Sequence, residues 1–284
     1  MSDLHALNEA INKKAGRKLF PSIAVGLTLL GLVIASLAFE RVLFLPLAIA
    51  AIIRGVWELG QALDRADIEI SVPTISFCAV AIMTSAWVKD VTGLAVATAI
   101  SIPFLLISGL PKGHHNFVKN ATATVFATIY LPFLAGFLVV LAKPDDGLAR
   151  VMTFVVVVGC NDTFGYIFGV LLGKHKLAPA ISPKKTWEGF WGGMVACALL
   201  ALLLWSQLPS QQAHVSLAAV LVVVLATALA SVVGDLTVSM FKRNAEIKDS
   251  GSLFPGHGGV LDRIDSVTAA APLFALAFNW IGLR

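Results

Sequence analysis

Residues 217–241 read LAAVLVVVLATALASVVGDLTVSMF, an apolar run interrupted by a single charge, Asp235. Coiled at about 1.5 Å per residue, a run of this length exceeds the ~30 Å hydrocarbon core of a bilayer. It reads as a membrane helix, and the same reading extends outward in both directions. Apolar segments of roughly 18 to 22 residues, the length a bilayer demands, recur along the whole chain. They fall near 20–39, 42–60, 73–88, 92–110, 121–141, 151–172, 190–205, 215–241 and 267–282. Of the 284 residues 57% are hydrophobic and only 13% charged, and mean hydropathy is +0.85, which lies outside the soluble globular range. The expected fold is an all-α integral membrane protein, a polytopic bundle of about nine transmembrane helices. Residues 1–19 form a polar cytoplasmic lead-in, 20–150 the N-terminal membrane helices and 151–284 a C-terminal catalytic region with its site facing the cytoplasm.

The basic residues orient the bundle. With the N-terminus inside, 15 Lys and Arg fall in inner segments, namely four in the lead-in, Arg65, Lys112, Lys119, four in 173–189 and four in 242–265. Arg41, Lys89, Lys143, Arg150 and Arg284 fall outside, and Arg54 lies within a span. A three-to-one bias predicts this orientation in a bacterial-type cytoplasmic membrane. The net charge of +4 is accounted for by these short loops, so nucleic acid is excluded as a partner. Cys78, Cys160 and Cys197 lie in apolar segments without CxxC spacing, which argues against a disulfide framework and against zinc. The apolar run after Lys18 is too long for the core of a signal peptide and is read as an uncleaved first span.

Charged groups inside the spans need partners. Arg54 and Glu58 are four apart, on one helical turn, and are read as a structural pair. In 151–172, Asn161 and Asp162 precede Gly165, Gly169 and Gly173, a small-residue face that permits close helix packing. Asp162 is expected to point into the bundle beside that face. Ser182-Pro183 looks like a helix start, Ser as N-cap and Pro at the first position. That places Lys184, Lys185 and Thr186 in its first turn. Lysines there oppose the helix dipole, so they are read as an anion site, with a topological anchor as the alternative.

Beyond the opening run the chain continues as SMFKRNAEIKDSGSLFPGHGGVLDRID over residues 239–265. Asp235, Ser239 and Lys242 share one face of the helix that enters it. Between Asp235 and Ser266 stand nine of the 38 charged residues. Gly256, Gly258 and Gly259 around His257 could form a backbone nest for phosphate. The bases Lys242, Arg243, Lys248 and Arg263 bracket it, and the carboxylates Asp235, Asp249, Asp262 and Asp265 could place Mg²⁺. By composition alone the same stretch also reads as a charged Gly-rich loop between two helices.

Order and spacing separate the two. Ser239-x-Phe241-Lys242-Arg243, four residues, then Lys248-Asp249-x-Gly251-x-x-Phe254-Pro255-x-His257-Gly258-Gly259-Val260-x-Asp262-Arg263-Ile264-Asp265 resembles the signature of the phosphatidate cytidylyltransferase (CDP-diacylglycerol synthase) family. The stretch Ser182-Pro183-Lys184-Lys185-Thr186-Trp187-Glu188-Gly189 is similar to that family's upstream motif, as is Asn161-Asp162 followed by Tyr166. Residues 1–150 resemble it only in being hydrophobic helices.

The resemblance implies transfer of CMP from CTP to phosphatidate, giving CDP-diacylglycerol and pyrophosphate. It implies Mg²⁺ held by Asp235 and Asp262, with Asp249 and Asp265 as further candidate ligands, and a second, monovalent cation such as K⁺. Lys242 and Arg263 join the two aspartates as catalytic residues. Ser182, Lys184, Lys185, Thr186, Asn161, Asp162, Ser239, Arg243, Lys248, His257, Gly258 and Gly259 are the expected substrate contacts. Partners are then CTP, phosphatidate and membrane lipids, with a homodimer as the assembly considered. Two rivals stand: a CTP-dependent lipid kinase of the polyprenol or dolichol type, and an ion-coupled transporter using Asp162, Asp235 and the Arg54–Glu58 pair.

Overall fold

The computed structural model describes residues 19–110, 116–207, 215–247, 250–251 and 258–280, with backbone alone for 19–24 and 279. The lead-in at 1–18 and the expected site residues Lys248, Asp249 and His257 lie outside the described residues.

The chain is almost wholly helical. In order come α1 (Leu19–Phe39), a 3₁₀ turn (Arg41–Leu43), α2 (Phe44–Asp64), α3 (Val72–Gly109), α4 (Phe117–Thr128), a π-helical turn (Ile129–Phe133), α5 (Leu134–Ala142) and α6 (Gly147–Leu172). A hairpin of β1 (Lys176–Ala178) and β2 (Ser182–Thr186) leads to α7 (Trp187–Ser206), α8 (Leu217–Asn244) and α9 (Leu261–Trp280). The hairpin is antiparallel, pairing Lys176 with Thr186 and Ala178 with Ser182, a short extended element within an otherwise helical architecture.

Six helices among the described residues are long and apolar enough to cross a membrane: Arg41–Asp64, Val72–Gly109, Phe117–Ala142, Gly147–Leu172, Trp187–Ser206 and Leu217–Asn244. The chain is a membrane protein by that criterion, and the count of about nine spans is not confirmed. Part of the difference lies in α3, whose helical path breaks at Lys89 (φ −124°) and Asp90 (φ 54°). Aspartate tolerates such a left-handed conformation better than most residues. The chain reverses there, and Phe77 meets Phe104 with ring centroids 6.2 Å apart. Residues 73–88 and 92–110 are therefore the two arms of one helical hairpin.

A single buried cluster joins Val56 and Ile82 of the first helices to Leu131, Phe154 and Phe274, so the core runs across residue 150. A smaller cluster of Val157, Cys197, Ala201, Val224 and Ala228 unites α6, α7 and α8. The glycines of α6 act there as expected. A Cβ on Gly189 of α7 would lie 3.1 Å from the Gly169 Cα, and one on Gly193 would lie 2.7 Å from the Asn161 Oδ1. Only hydrogen fits at such a crossing.

Pro132 supplies no N–H to the helical ladder, and the chain accommodates it with the π turn between α4 and α5. From this turn the buried Tyr130 donates its hydroxyl to the Gly234 carbonyl of α8, 3.1 Å away. At the end of the bundle away from residues 242–262, Arg41 pairs with Asp145 at 2.6 Å and Lys143 with Asp90 at 2.8 Å. Exposed pairs of this kind contribute little each, but they join three connections at that end.

Candidate active site

The lysine-rich segment folds as a strand rather than as a helix start. Ser182–Thr186 is β2, and the N-cap of α7 is Thr186, whose buried hydroxyl accepts the Gly189 N–H at 3.2 Å. Both Ser182 and Thr186 can cap a helix. The later one prevails because 182–186 pairs with β1 and the Trp187 N–H donates to the His175 carbonyl at 3.0 Å. Glu188 in the first turn accepts the His175 N–H at 3.2 Å and meets its Nδ1 at 2.7 Å.

This changes the roles of the two lysines, because neighbouring residues of a strand point to opposite faces. Lys184 is exposed. Lys185 turns inward and its Nζ lies 2.7 Å from Asp235 Oδ2. Arg243 fastens the hairpin to the end of α8, its Nε donating to the Ile181 carbonyl at 3.1 Å. If Lys185 contacts an anionic substrate, Lys185→Ala should weaken apparent affinity for it by on the order of tenfold or more, as expected for loss of a charge-assisted contact of ~1.5–3 kcal/mol. Lys184→Ala should stay within about threefold, and equal losses in the two, measured at moderate salt, would contradict the strand assignment.

On α8 the sequence periodicity holds. Ser239 Oγ donates to Asp235 Oδ1 at 3.4 Å, and Lys242 Nζ lies 2.8 Å from Asp262 Oδ1. Asp262 stands in the first turn of α9, ahead of its apolar part. Its Oδ2 accepts the Ser250 and Gly259 N–H groups, each at 3.0 Å. Burial pushes the Asp262 carboxyl up, but the Lys242 ammonium and the Gly259 and Ser250 hydrogen bonds together hold it below the usual carboxylate range. Gly258 has φ 76°, the left-handed conformation expected of a nest glycine. The Gly259 amide, however, is turned to Asp262, which leaves that N–H engaged by the chain itself. Arg263 is half-buried in the same turn, and Asp265 is buried with its Oδ1 accepting the Ser266 N–H at 2.7 Å.

Asn161 and Asp162 separate in role. Asn161 is the one directed into the bundle, donating from Nδ2 to Ser231 Oγ of α8 at 3.0 Å. Asp162 is instead exposed and lies within electrostatic reach of Asp235 and Lys185. Asp265 in turn lies within reach of Asp235, Lys242 and Asp162. Four elements, α6, β2, α8 and α9, thus bring Asp162, Lys185, Asp235, Lys242, Asp262 and Asp265 within contact or electrostatic reach of one another.

Two residues missing from the expected site also reach it. Tyr130 holds the carbonyl of Gly234, the residue preceding Asp235, and Glu58 of α2 accepts the Leu261 N–H at 2.8 Å. Only the buried charge of Glu58 signalled anything in the sequence, and there Arg54 looked like its sole partner.

Among the described residues no three of His, Cys, Asp and Glu converge as a metal cluster. The carboxylates nonetheless fit a hard cation. Mg²⁺ is commonly held by one or two carboxylates plus substrate phosphates. Asp235 and Asp262 each already hold a lysine ammonium within 2.8 Å, so positive charge is accommodated at both.

Two lysine–aspartate pairs, Lys185–Asp235 and Lys242–Asp262, stand on a bundle of long apolar helices, charge chemistry that suits a membrane enzyme acting on anionic groups. Residues 21–281 match the model of the cytidylyltransferase family, and the chain belongs to that family. It is 33% identical over 274 residues to the phosphatidate cytidylyltransferase of Mycobacterium leprae, covering 91% of this chain and 86% of the relative. It is 31% identical over 271 residues to that of Mycobacterium bovis, covering 91% and 87%. With the Haemophilus influenzae phosphatidate cytidylyltransferase it shares 37% identity over 189 residues, 63% of this chain and 65% of the relative. The chain is a nucleotidyltransferase, and the phosphate chemistry of that class fits a divalent-cation requirement in general.

Proposed function

We propose that this protein is a phosphatidate cytidylyltransferase of the cytoplasmic membrane, with its site on the cytoplasmic face. The observation that carries this reading is the two ion pairs Lys185–Asp235 and Lys242–Asp262, at 2.7 and 2.8 Å, which share the last turns of α8. A lipid phosphate and a nucleotide triphosphate can approach such a place from membrane and water respectively.

A phosphatidate oxygen attacks the α-phosphorus of CTP, the α–β phosphoanhydride bond breaks, and pyrophosphate leaves. The lipid phosphate is already ionised near neutral pH, so no strong base is required. Lys185 and Lys242 move from their carboxylates to phosphate oxygens, screen the repulsion between the two anionic substrates and orient them. Arg243 and Arg263 add charge at the rim, and Ser239 orients Asp235. The residues that would hold Mg²⁺ are Asp235 and Asp262, with Asp265 beside them; bound there, the ion would neutralise charge developing on the triphosphate. Asp162, within reach of Asp235, is the candidate for a second, monovalent cation such as K⁺.

Purified enzyme given phosphatidate and CTP should incorporate α-phosphate label, and no γ-phosphate label, into lipid. Incorporation of γ-label into a polyprenol would make it a lipid kinase instead. The orientation has its own check: a cysteine placed near Gly251, at the exposed Asn244, should react with a membrane-impermeant reagent in inverted vesicles and not in intact cells. Labelling in intact cells would contradict the cytoplasmic site.

A further inference from the structure

We propose that Glu58 of α2 is a positioning residue for cytidylyl transfer, holding the base of the 250–262 loop in the register that presents Asp262. This rests on the reading of that loop as part of the transferase site.

The side chain of Glu58 is completely buried, with 0% exposure. Its Oε2 accepts the N–H of Leu261, the first residue of α9, at 2.8 Å across 203 positions of sequence. That amide is one of those a helix leaves without an internal acceptor, and a negative charge there also suits the helix dipole. The opposite oxygen, Oε1, accepts from Arg54 Nε at 3.1 Å. Arg54 is itself held, its guanidinium lying 3.9 Å from the Trp57 ring centroid.

The glycines on the two flanks of the loop explain why a carboxylate fits here. A Cβ on Gly251 would lie 2.7 Å from Glu58 Oε1, and one on Gly259 would collide with Oε2. The two flanks also touch each other, since a Gly251 Cβ would come within 3.1 Å of the Gly259 Cα. Glu58 therefore occupies the space that two side chains would otherwise fill. From the other side Asp262 Oδ2 binds the Ser250 and Gly259 amides at 3.0 Å. Two carboxylates thus grip one loop base, and displacing Glu58 releases Gly259, hence Asp262. A short distance along the same face of α2, a Cβ on Gly55 would lie 3.1 Å from Ile264 Cδ1, so α2 and the first turn of α9 pack as a unit.

A brace that served stability alone would not require a buried charge, because an apolar side chain of the same volume is often as stable as a buried ion pair. Positioning predicts a particular pattern in Glu58→Gln, which keeps shape and an acceptor for Leu261 but loses the charge. At a temperature where it is fully folded, kcat should fall on the order of 10–100-fold, the range seen when an outer-shell partner of a catalytic group is lost. KM for phosphatidate should stay within about twofold. Hydrogen exchange should accelerate at 250–251 and 258–262 and stay unchanged in the rest of α2. Normal kcat, or exchange that rises along α2 as a whole with a lowered melting temperature, would overturn the proposal. Gly251→Ala, which displaces Oε1 while leaving Glu58 in place, should give the same pattern and decides the question should Glu58→Gln not fold. If wild-type enzyme itself transferred no α-label, the functional reading would fail; an active wild type with an unaffected Glu58→Gln would sink only the role of Glu58.

Discussion

Asp235→Asn should lower turnover by on the order of 10²–10³-fold, the cost of removing one preorganised electrostatic group from a reacting centre, with almost no change in melting temperature. The two effects part because the Asp235 side chain is 35% exposed and its lysine partner 24% exposed. A half-exposed pair is typically worth ~1 kcal/mol or less to folding, and Asn keeps the shape on the α8 face. Asp262→Asn should lose activity to the same degree and also lose stability. Its carboxylate is 10% exposed, against a lysine at 15%, and it accepts two backbone amides besides. Removing one member of a pair so enclosed leaves Lys242 uncompensated, a change that costs ~3–5 kcal/mol when burial is complete. Raised Mg²⁺, or Mn²⁺ with its higher affinity for such ligands, should recover part of the Asp235→Asn activity. The check is a metal titration of turnover beside a thermal melt of each detergent-solubilised variant. Near-normal turnover in both would refute the assignment of these aspartates.

The second large effect is expected at a residue with no chemistry of its own. A Cβ on Gly234 would lie 2.5 Å from the Ala269 Cβ and 2.6 Å from the Asp265 carbonyl oxygen. The second of these is backbone, so α8 and α9 have to separate to admit even a methyl group. Gly234→Ala should cost ~1–3 kcal/mol, the usual price of overpacking a close contact, and Gly234→Val more. Activity should fall further than stability alone explains. The Gly234 carbonyl anchors Tyr130, and its neighbour Asp235 lies within electrostatic reach of Asp265. A shift between these helices therefore moves two carboxylates at once. Melting temperature and turnover of the folded fraction, measured together, test this; a Gly234→Ala enzyme with wild-type values of both would show that the crossing is looser than drawn.

The legibility of this protein divides along the range of the forces involved. Helices were readable because a bilayer sets their length and because each backbone group must be satisfied within the segment. The Gly165, Gly169 and Gly173 face was readable for the same reason: it depends on spacing along one helix. Asp235, Ser239 and Lys242 could be placed on one face of α8 by periodicity, and that is where they stand. The error at Ser182 came from local capping chemistry, which offered two equally good starts, Ser182 and Thr186. Pairing with β1 selected the second and left Lys184 exposed while Lys185 meets Asp235. Asn161, not Asp162 as expected, turns into the bundle because adjacent residues differ by ~100° around a helix, and only the position of α8 says which of them is covered.

From sequence alone came the membrane helices, the signature between Ser239 and Asp265 and the family it points to, all of which rest on patterns within continuous stretches of chain. Tertiary structure alone decided that Lys185 rather than Lys184 meets Asp235, that the Gly259 amide serves Asp262, and that Glu58 lies beneath the loop. The contacts of Lys185 and Glu58 span 50 and 203 positions; that of Gly259 spans three, but on a loop base that Glu58 packs against. A carboxylate at position 58 carries no local mark of the amide at position 261, because nothing in its own helix requires that partner.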